Sequence, residues 1–306
     1  MNNHSYPGYI KLYRKNEVAK RIKQAYELME NCQICPRQCG VNRIKGEIGY
    51  CQAGIEPEIS SFYCHMGEEP PISGWAGSGT IFFTHCNLRC VFCQNYPISQ
   101  LGYGKKISIH QLAEIMVTLQ KKGCHNINFV TPTHFTPQIL AAVNEAIDKG
   151  LRIPLVYNCG GYEKVETLQL LEGVVDIYMP DIKYGNVTEA KKYSNAPDYF
   201  KVAKKAVKEM HRQVGQLQIS RDGIARKGLL IRHLVLPNNL AKSDRVLTFI
   251  KNEISPRTYI SIMNQYFPAY KGVKIKELNR KVTNTEYRKV LHLAEKLSLK
   301  RGWRQT

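Results

Sequence analysis

From Thr80 onward the chain alternates short β-rich runs with helical patterns, and that alternation restricts the fold more than any other feature. Repeated βα units build a parallel sheet covered by helices. Six runs qualify, at 81–84, 127–131, 153–158, 174–179, 229–236 and 259–263. The helix after the first begins at Ser108, with Gln111 three residues on in a capping-box pattern, and carries Leu112, Ile115, Met116 and Leu119 at helical spacing. The helix after the second takes Thr136 as its cap and Pro137 at its first position, where a missing N–H costs nothing. Further helices are read around 199–214 and 243–252, and a closing one from Tyr287, Val290, Leu291, Ala294 and Leu297. Six units are fewer than the eight that close a full barrel. The expected fold is therefore α/β, a partial (β/α)6 TIM-type barrel over residues 80–306, with chemistry gathered at the C-terminal strand ends.

Residues 1–79 read differently. Val18, Ile22, Ala25, Tyr26 and Met29 predict one amphipathic helix, and the stretch from Cys32 to Gly79 is cysteine-rich, punctuated by glycine and read as loops. Eight of the ten cysteines lie before Gly102. The N-terminus has no apolar h-region, and no apolar run reaches the roughly 18 residues that span a bilayer. The expectation is a cytoplasmic chain without membrane contact, and there closely spaced cysteines mean metal ligation rather than disulfides.

Directly after the first strand comes Cys86-Asn87-Leu88-Arg89-Cys90-Val91-Phe92-Cys93, a C-x3-C-x2-C spacing. Three thiolates on one strand-to-loop turn can converge on one cube of iron and sulfide. Four cysteines are the usual set for a 4Fe-4S cluster, so three leave one iron open to an exogenous partner. S-adenosylmethionine (SAM) suits that vacancy, because its amino and carboxylate groups can chelate iron. Three unrelated core cysteines are the alternative, since buried cysteine is common, but core packing does not call for this spacing beside a strand end. Cys32, Cys35, Cys39 and Cys51 form a second group, C-x2-C-x3-C-x11-C, with Gly40, Gly46 and Gly49 allowing tight turns. Four ligands fill a coordination shell, either structural Zn²⁺ or an auxiliary iron–sulfur cluster, and spacing does not separate the two. Cys64, Cys124 and Cys159 are left over, with Cys124 read as packing. His65, Glu68 and Glu69 form a polar group just before the barrel, read either as lining a substrate mouth or as surface loop.

The triplet, Phe92 before its last cysteine and Gln94-Asn95 after it resemble the radical SAM superfamily, specifically relatives of the pyruvate formate-lyase activating enzyme. Cys35-Pro36-Arg37-Gln38-Cys39-Gly40-Val41, Gly67-Glu68-Glu69-Pro70, Gly77-Ser78-Gly79-Thr80-Ile81-Phe82-Phe83 and Val130-Thr131-Pro132-Thr133-His134 are closer still to its PflX-like branch. The resemblance implies a 4Fe-4S cluster on Cys86, Cys90 and Cys93, with SAM contacted around Phe92. It implies that Asp181-Ile182-Lys183, ending the fourth strand, lies near the SAM carboxylate. Where the superfamily commonly carries Gly-Gly-Glu for the SAM amino group, this chain has Thr133 and His134, whose side chains can hydrogen-bond. Asn158, ahead of Cys159-Gly160-Gly161, ends the third strand, and Arg232 and His233 on the fifth could reach a carboxylate or ribose. The implied reaction is hydrogen abstraction, with a glycyl residue of a partner enzyme as leading substrate and a flavodoxin or ferredoxin type protein as low-potential electron donor. A net charge of +19 raises RNA as an alternative substrate, but the basic residues are scattered and do not favour nucleic acid. A non-catalytic zinc-binding nucleic-acid module is the third reading, against which stands the triplet's missing fourth ligand.

Overall fold

A computed structural model describes residues 7–305; residues 1–6 of the N-terminal segment and Thr306 lie outside it. The strands, in chain order, are β1 (Glu58–His65), β2 (Ser78–Phe83), β3 (Lys105–Lys106), β4 (Ile127–Val130), β5 (Leu155–Cys159), β6 (Ile177–Pro180), β7 (Gln218–Ile219), β8 (Ala225–Leu234), β9 (Tyr259–Met263) and β10 (Gly302–Arg304). They form a mixed α/β fold with one sheet in the order β10-β9-β8-β6-β5-β4-β2-β1-β3, and β7 pairs with β8. From β2 through β10 the neighbours along this path run parallel, and the six expected runs are β2, β4, β5, β6, β8 and β9. No described helix is long and apolar enough to cross a membrane.

Side chains alternate between the two faces of each strand. Outward residues such as Phe129, Tyr157, Tyr178, Ile231 and Ile260 pack with Leu140, Val143, Met210 and Leu247 of the covering helices. Inward residues Val156, Ile177, Met179, Leu230 and Tyr259 form a separate apolar cluster with Ile72. Toward the C-terminal strand ends this inner face turns polar.

Local signals explain most elements. Ser108 and Gln111 form the capping box that starts the helix Ile109–Lys121. The helix Thr136–Asp148 instead has Phe135 at its N-cap, and the Thr136 hydroxyl donates to the Thr133 carbonyl at 3.0 Å, so the cap lies one residue earlier than expected. The helix expected from Val18 to Met29 is Glu17–Glu30, and a further one, Gly8–Arg14, precedes it, the two separated where Asn16 takes φ +57°. The stretch expected as loops holds β1, antiparallel to β2, and a short helix Pro70–Ser73. Only Ile59 of β1 is buried, so its sequence lacks the apolar alternation that marks a strand. Cys124 packs in the main core as expected, and it is also joined to Cys64 by a disulfide whose Cα atoms are 6.1 Å apart.

Candidate functional site

Asn158 lies two residues beyond Val156 on β5, Arg232 two beyond Leu230 on β8, and both therefore share the inner face. Arg232 is the hub. Its Nε donates to Asp181 Oδ1 at 2.8 Å and its Nη2 to Asn158 Oδ1 at 2.7 Å, while Nη1 stands 3.4 Å from Glu68 Oε2 and 3.9 Å from Glu69 Oε2. The second oxygen of Asp181 accepts from Lys183 Nζ at 2.5 Å. Burial alone would raise the Asp181 carboxyl, but the Arg232 and Lys183 charges outweigh it and hold the group below its ordinary range. Glu68 has less help: burial pushes it up to about 7 although Arg232 opposes. Thus Asp181, Lys183, Asn158 and Arg232 come together as expected from their strand ends. His233 points the other way, buried between the Ile182 carbonyl (2.7 Å) and Ser243 (2.9 Å). Glu69 is buried beneath Arg232 and Glu68 reaches from Arg232 to the lining of an outer cleft, while His65 packs against Tyr63 and Phe82 outside the group.

The cysteine loop leaves β2 through His85 and Arg89, both in the left-handed region (φ +65° and +53°), which turns the chain sharply. It is fastened along its length. Asn87 Nδ2 donates to the Tyr162 carbonyl at 2.8 Å, Val91 N to the Tyr193 carbonyl at 2.8 Å, and Gly272 N to the Val91 carbonyl at 2.9 Å. Each sulfur has a polar neighbour: Leu88 N donates to Cys86 Sγ at 3.3 Å, Ser194 Oγ to Cys90 Sγ at 2.9 Å, and Ser99 Oγ lies 3.1 Å from Cys93 Sγ. Cys90 lies close enough to raise the other two thiols. Burial, then the Cys90 charge, pushes Cys86 up to about 12 and raises Cys93, which Lys183 partly opposes.

The radical SAM superfamily model matches residues 80–217, which include this loop, Asn158, Asp181 and Lys183. The uncharacterized protein MJ0674 of Methanocaldococcus jannaschii is 33% identical over 298 residues, covering 95% of this chain and 82% of the relative. The chain belongs to the radical SAM superfamily. A second uncharacterized protein of that organism, MJ0808, is 24% identical over 265 residues, 78% of this chain and 71% of its own. A radical SAM methyltransferase from Sphaerobacter thermophilus aligns with a TM-score of 0.46 at 10% identity, over 73% of this chain and 66% of that one. Native anSMEcpe with bound AdoMet aligns with a TM-score of 0.46 at 13% identity, over 69% of this chain and 56% of that one.

Membership implies a 4Fe-4S cluster and SAM as cofactors. The donor set fits a radical SAM cluster: three mutually coupled thiols, each with a hydrogen-bonding neighbour, whose buried negative charge iron would compensate. Among the described residues no three metal-ligating side chains gather around a single ion, and a cube does not ask that of them, since each of its thiolates binds a different iron.

The other residues expected at a radical SAM site have taken protein partners. Phe92 lies under the loop, edge-on to Tyr184, Tyr193 and Tyr266 with ring centroids 5.8 to 6.4 Å away. His134 Nε2 meets the Thr84 carbonyl at 2.8 Å, and burial lowers the imidazole to about 3, so it is neutral. Thr133 donates to Glu163 Oε1 at 2.7 Å, and Tyr157 donates to Glu163 Oε2 at 3.2 Å. Burial pushes this carboxyl up to about 7 in spite of those bonds. Thr133 and His134 are thus tied to Glu163 and to the Thr84 carbonyl just ahead of the loop, and His134 Nδ1 is buried without a partner. Glycines at 160 and 161 admit the chain itself: a Cβ on Gly161 would stand 2.2 Å from the Asp181 carbonyl oxygen, and one on Gly160 2.8 Å from Leu88. Cys159 is buried in the main core.

The four N-terminal cysteines also lie near one another, though among the described residues they are not gathered around the position of a single ion. Cys32, Cys35 and Cys51 are buried, Cys35 is raised to about 12 by burial and then by Cys51 and Cys32, and Cys51 is raised by burial and then by Cys32 and Cys39. A Cβ on Gly49 would stand 3.0 Å from Cys39 Sγ, so the loop closes tightly there. Arg37, between two of these cysteines, donates from Nε to the Asn87 carbonyl and from Nη2 to the Ser194 carbonyl, both at 2.9 Å. Glu163 and Arg37 carry no recognisable spacing signal, and only the folded contacts reveal them.

Proposed function

We propose that the chain is a cytoplasmic oxidoreductase whose partial (β/α)6 barrel holds a 4Fe-4S cluster on Cys86, Cys90 and Cys93. The barrel reading is supported by Glu68, which joins Asn128 on β4 to Arg232 on β8, three places apart in the sheet order. The observation that carries the function is the three-thiol loop at the C-terminal end of β2, with Ser194 and Ser99 beside its sulfurs and Lys183 nearby. When bound, the reduced cluster supplies the electron that splits SAM into methionine and a 5′-deoxyadenosyl radical. The protein binds and orients around that event. Lys183 and Arg232 are the cations for the SAM carboxylate, and Asp181 and Asn158 the acceptors for its ammonium, the task left open by the missing Gly-Gly-Glu. Phe92, Thr133 and His134 hold the loop against the core. The N-terminal four cysteines hold a second metal, Zn²⁺ or an iron–sulfur cluster. By its resemblance to activating enzymes, the chain takes hydrogen from a glycyl residue of a partner protein and receives electrons from a flavodoxin or ferredoxin type donor. RNA is not favoured.

The test is anaerobic reconstitution, dithionite reduction and chromatography with SAM. We expect 5′-deoxyadenosine from wild type and none above background from the Cys86, Cys90 and Cys93 triple alanine variant. Cluster-loaded, SAM-bound protein that releases none would sink the mechanism. A glycyl radical EPR doublet on a candidate partner, appearing only with SAM and reductant, tests the substrate.

A further inference from the structure

On the inner face, carboxylates outnumber cations and acceptors outnumber donors. Among the described residues, Glu68, Glu69 and Asp181 share only Arg232 and Lys183. Lys183 is committed to Asp181, and Arg232 spends its short contacts on Asp181 and Asn158, leaving the glutamates at 3.4 and 3.9 Å. Glu69 is only 3% exposed, and its Oε2 accepts no hydrogen bond. Asn128 gives its Nδ2 to Glu68 at 3.0 Å, and its buried Oδ1 is also without a donor. Ser261, in register with Arg232 on the adjacent strand and therefore on the same face, has a buried hydroxyl with no partner. Buried polar atoms are nearly always paired, so three unpaired ones around one acidic pair require a reason. Access exists as well. A cleft of about 750 Å³, lined by Met66, Glu68, Trp75, Ile224 and Trp303 among others, reaches Glu68 from outside, and indole faces attract cations.

We propose that Glu68 and Glu69 form a recognition site for an ammonium or guanidinium group on the molecule that gives up the hydrogen atom; the inference rests on the radical SAM reading above. Such a group brings both things the site lacks, a positive charge and several N–H donors for Glu69 Oε2, Asn128 Oδ1 and Ser261. A neutral hydroxyl or amide would supply donors but leave the excess negative charge buried, and an anion would add to it. The line of charges runs from Cys90 and Cys93, which lie within the electrostatic reach of Lys183, through Asp181 and Arg232 to the glutamates, so the pair sits at the end remote from the thiols. The cationic group is thus a handle that orients the molecule, and the bond to be broken lies elsewhere on it. The same chemistry is offered by a free amine or by a Lys or Arg side chain of a polypeptide.

Calorimetric titration of reconstituted, SAM-loaded protein tests this with agmatine, the peptide Gly-Arg-Gly-amide and, as a neutral comparison, butylurea. At least one cationic probe should bind saturably, with affinity at least tenfold weaker in both Glu69→Gln and Glu68→Gln, and butylurea should not bind. Binding of agmatine alone assigns the handle to a small molecule, and binding of the peptide alone to a polypeptide; either supports the proposal. No binding by either cation, equal affinity in wild type and both variants, or butylurea binding as tightly as the cations would overturn it. Iron content and circular dichroism identify a variant that fails to fold, and the other glutamine variant then decides. Deoxyadenosine formation by wild type is measured separately. Its absence with cation binding intact defeats the radical SAM mechanism and spares the site, whereas the converse defeats the site alone.

Discussion

The sulfurs of Cys86, Cys90 and Cys93 are met by backbone N–H groups and by two serine hydroxyls, whereas among the described residues the N-terminal sulfurs of Cys35, Cys39 and Cys51 are met by backbone N–H groups of Arg37, Tyr50 and Ala53. In both groups burial raises two of the thiols, Cys35 and Cys51 in one and Cys86 and Cys93 in the other, for the same reason: a thiolate loses its water there. The difference lies beyond the sulfurs. Behind the triplet stand Lys183, Asp181 and Arg232, able to bind a charged guest; around the quartet stand Met29, Ile34 and Val41. Four ligands against an apolar wall suit a closed structural centre, and three ligands facing charges suit one with an open position.

Removing the triplet tests this contrast most severely. With Cys86, Cys90 and Cys93 all alanine, SAM cleavage should fall at least 100-fold and about four irons per chain should be lost, the content of one cube, while metal at the N-terminus stays. Equal iron in variant and wild type would erase the distinction. Next in size, Arg232→Met should lower unfolding free energy in urea by about 3–5 kcal/mol, since three buried carboxylates lose their shared cation; a change under 1 kcal/mol would mean water already serves them. Cys35→Ser and Cys39→Ser should release only the N-terminal metal and make residues 32–51 sensitive to protease, with deoxyadenosine formation retained in part. Metal analysis and limited proteolysis read this, and unchanged metal content would show free thiols. The smallest effect concerns Glu163. Its carboxyl, near 4.5 when unfolded, is raised to about 7 by burial, so the folded state binds the extra proton between those values and stability falls as pH rises through the window. Glu163→Gln should flatten that fall. An unchanged slope between pH 4.5 and 7 would assign it to Glu68 and Asp176, which burial raises to about 7 and 6.

The parallel strands and the cysteine loop were legible because each has a local signature: buried runs such as Leu155–Cys159, the Ser108 capping box, and the thiol spacing itself. What stayed hidden depends on contacts between distant residues. β1 is half exposed along most of its length and reads as loop until it pairs with β2. Cys64 and Cys124 are 60 residues apart and meet because one lies on β1 and the other just before β4, on either side of β2. The adjacent Glu68 and Glu69 look like an exposed acidic turn; only the close of β1 and the short helix after it carry them under Arg232. The hydrogen-bonding capacity of Thr133 and His134 is plain in the sequence, but it does not disclose that Glu163 and the Thr84 carbonyl already draw on it.

Arg37 has a bearing on how the chain can be cut. Its guanidinium holds the carbonyl of Asn87, inside the cysteine triplet's loop, and that of Ser194, whose hydroxyl serves Cys90. Arg43, a few residues on, donates to the carbonyl of His134 at 2.8 Å. A shortened protein beginning at Gly79 would keep every residue of the superfamily match and lose both props. The N-terminal segment is in that sense scaffolding that cannot be taken down once the arch is built, and an engineer seeking a minimal catalyst would have to replace two arginines before removing it.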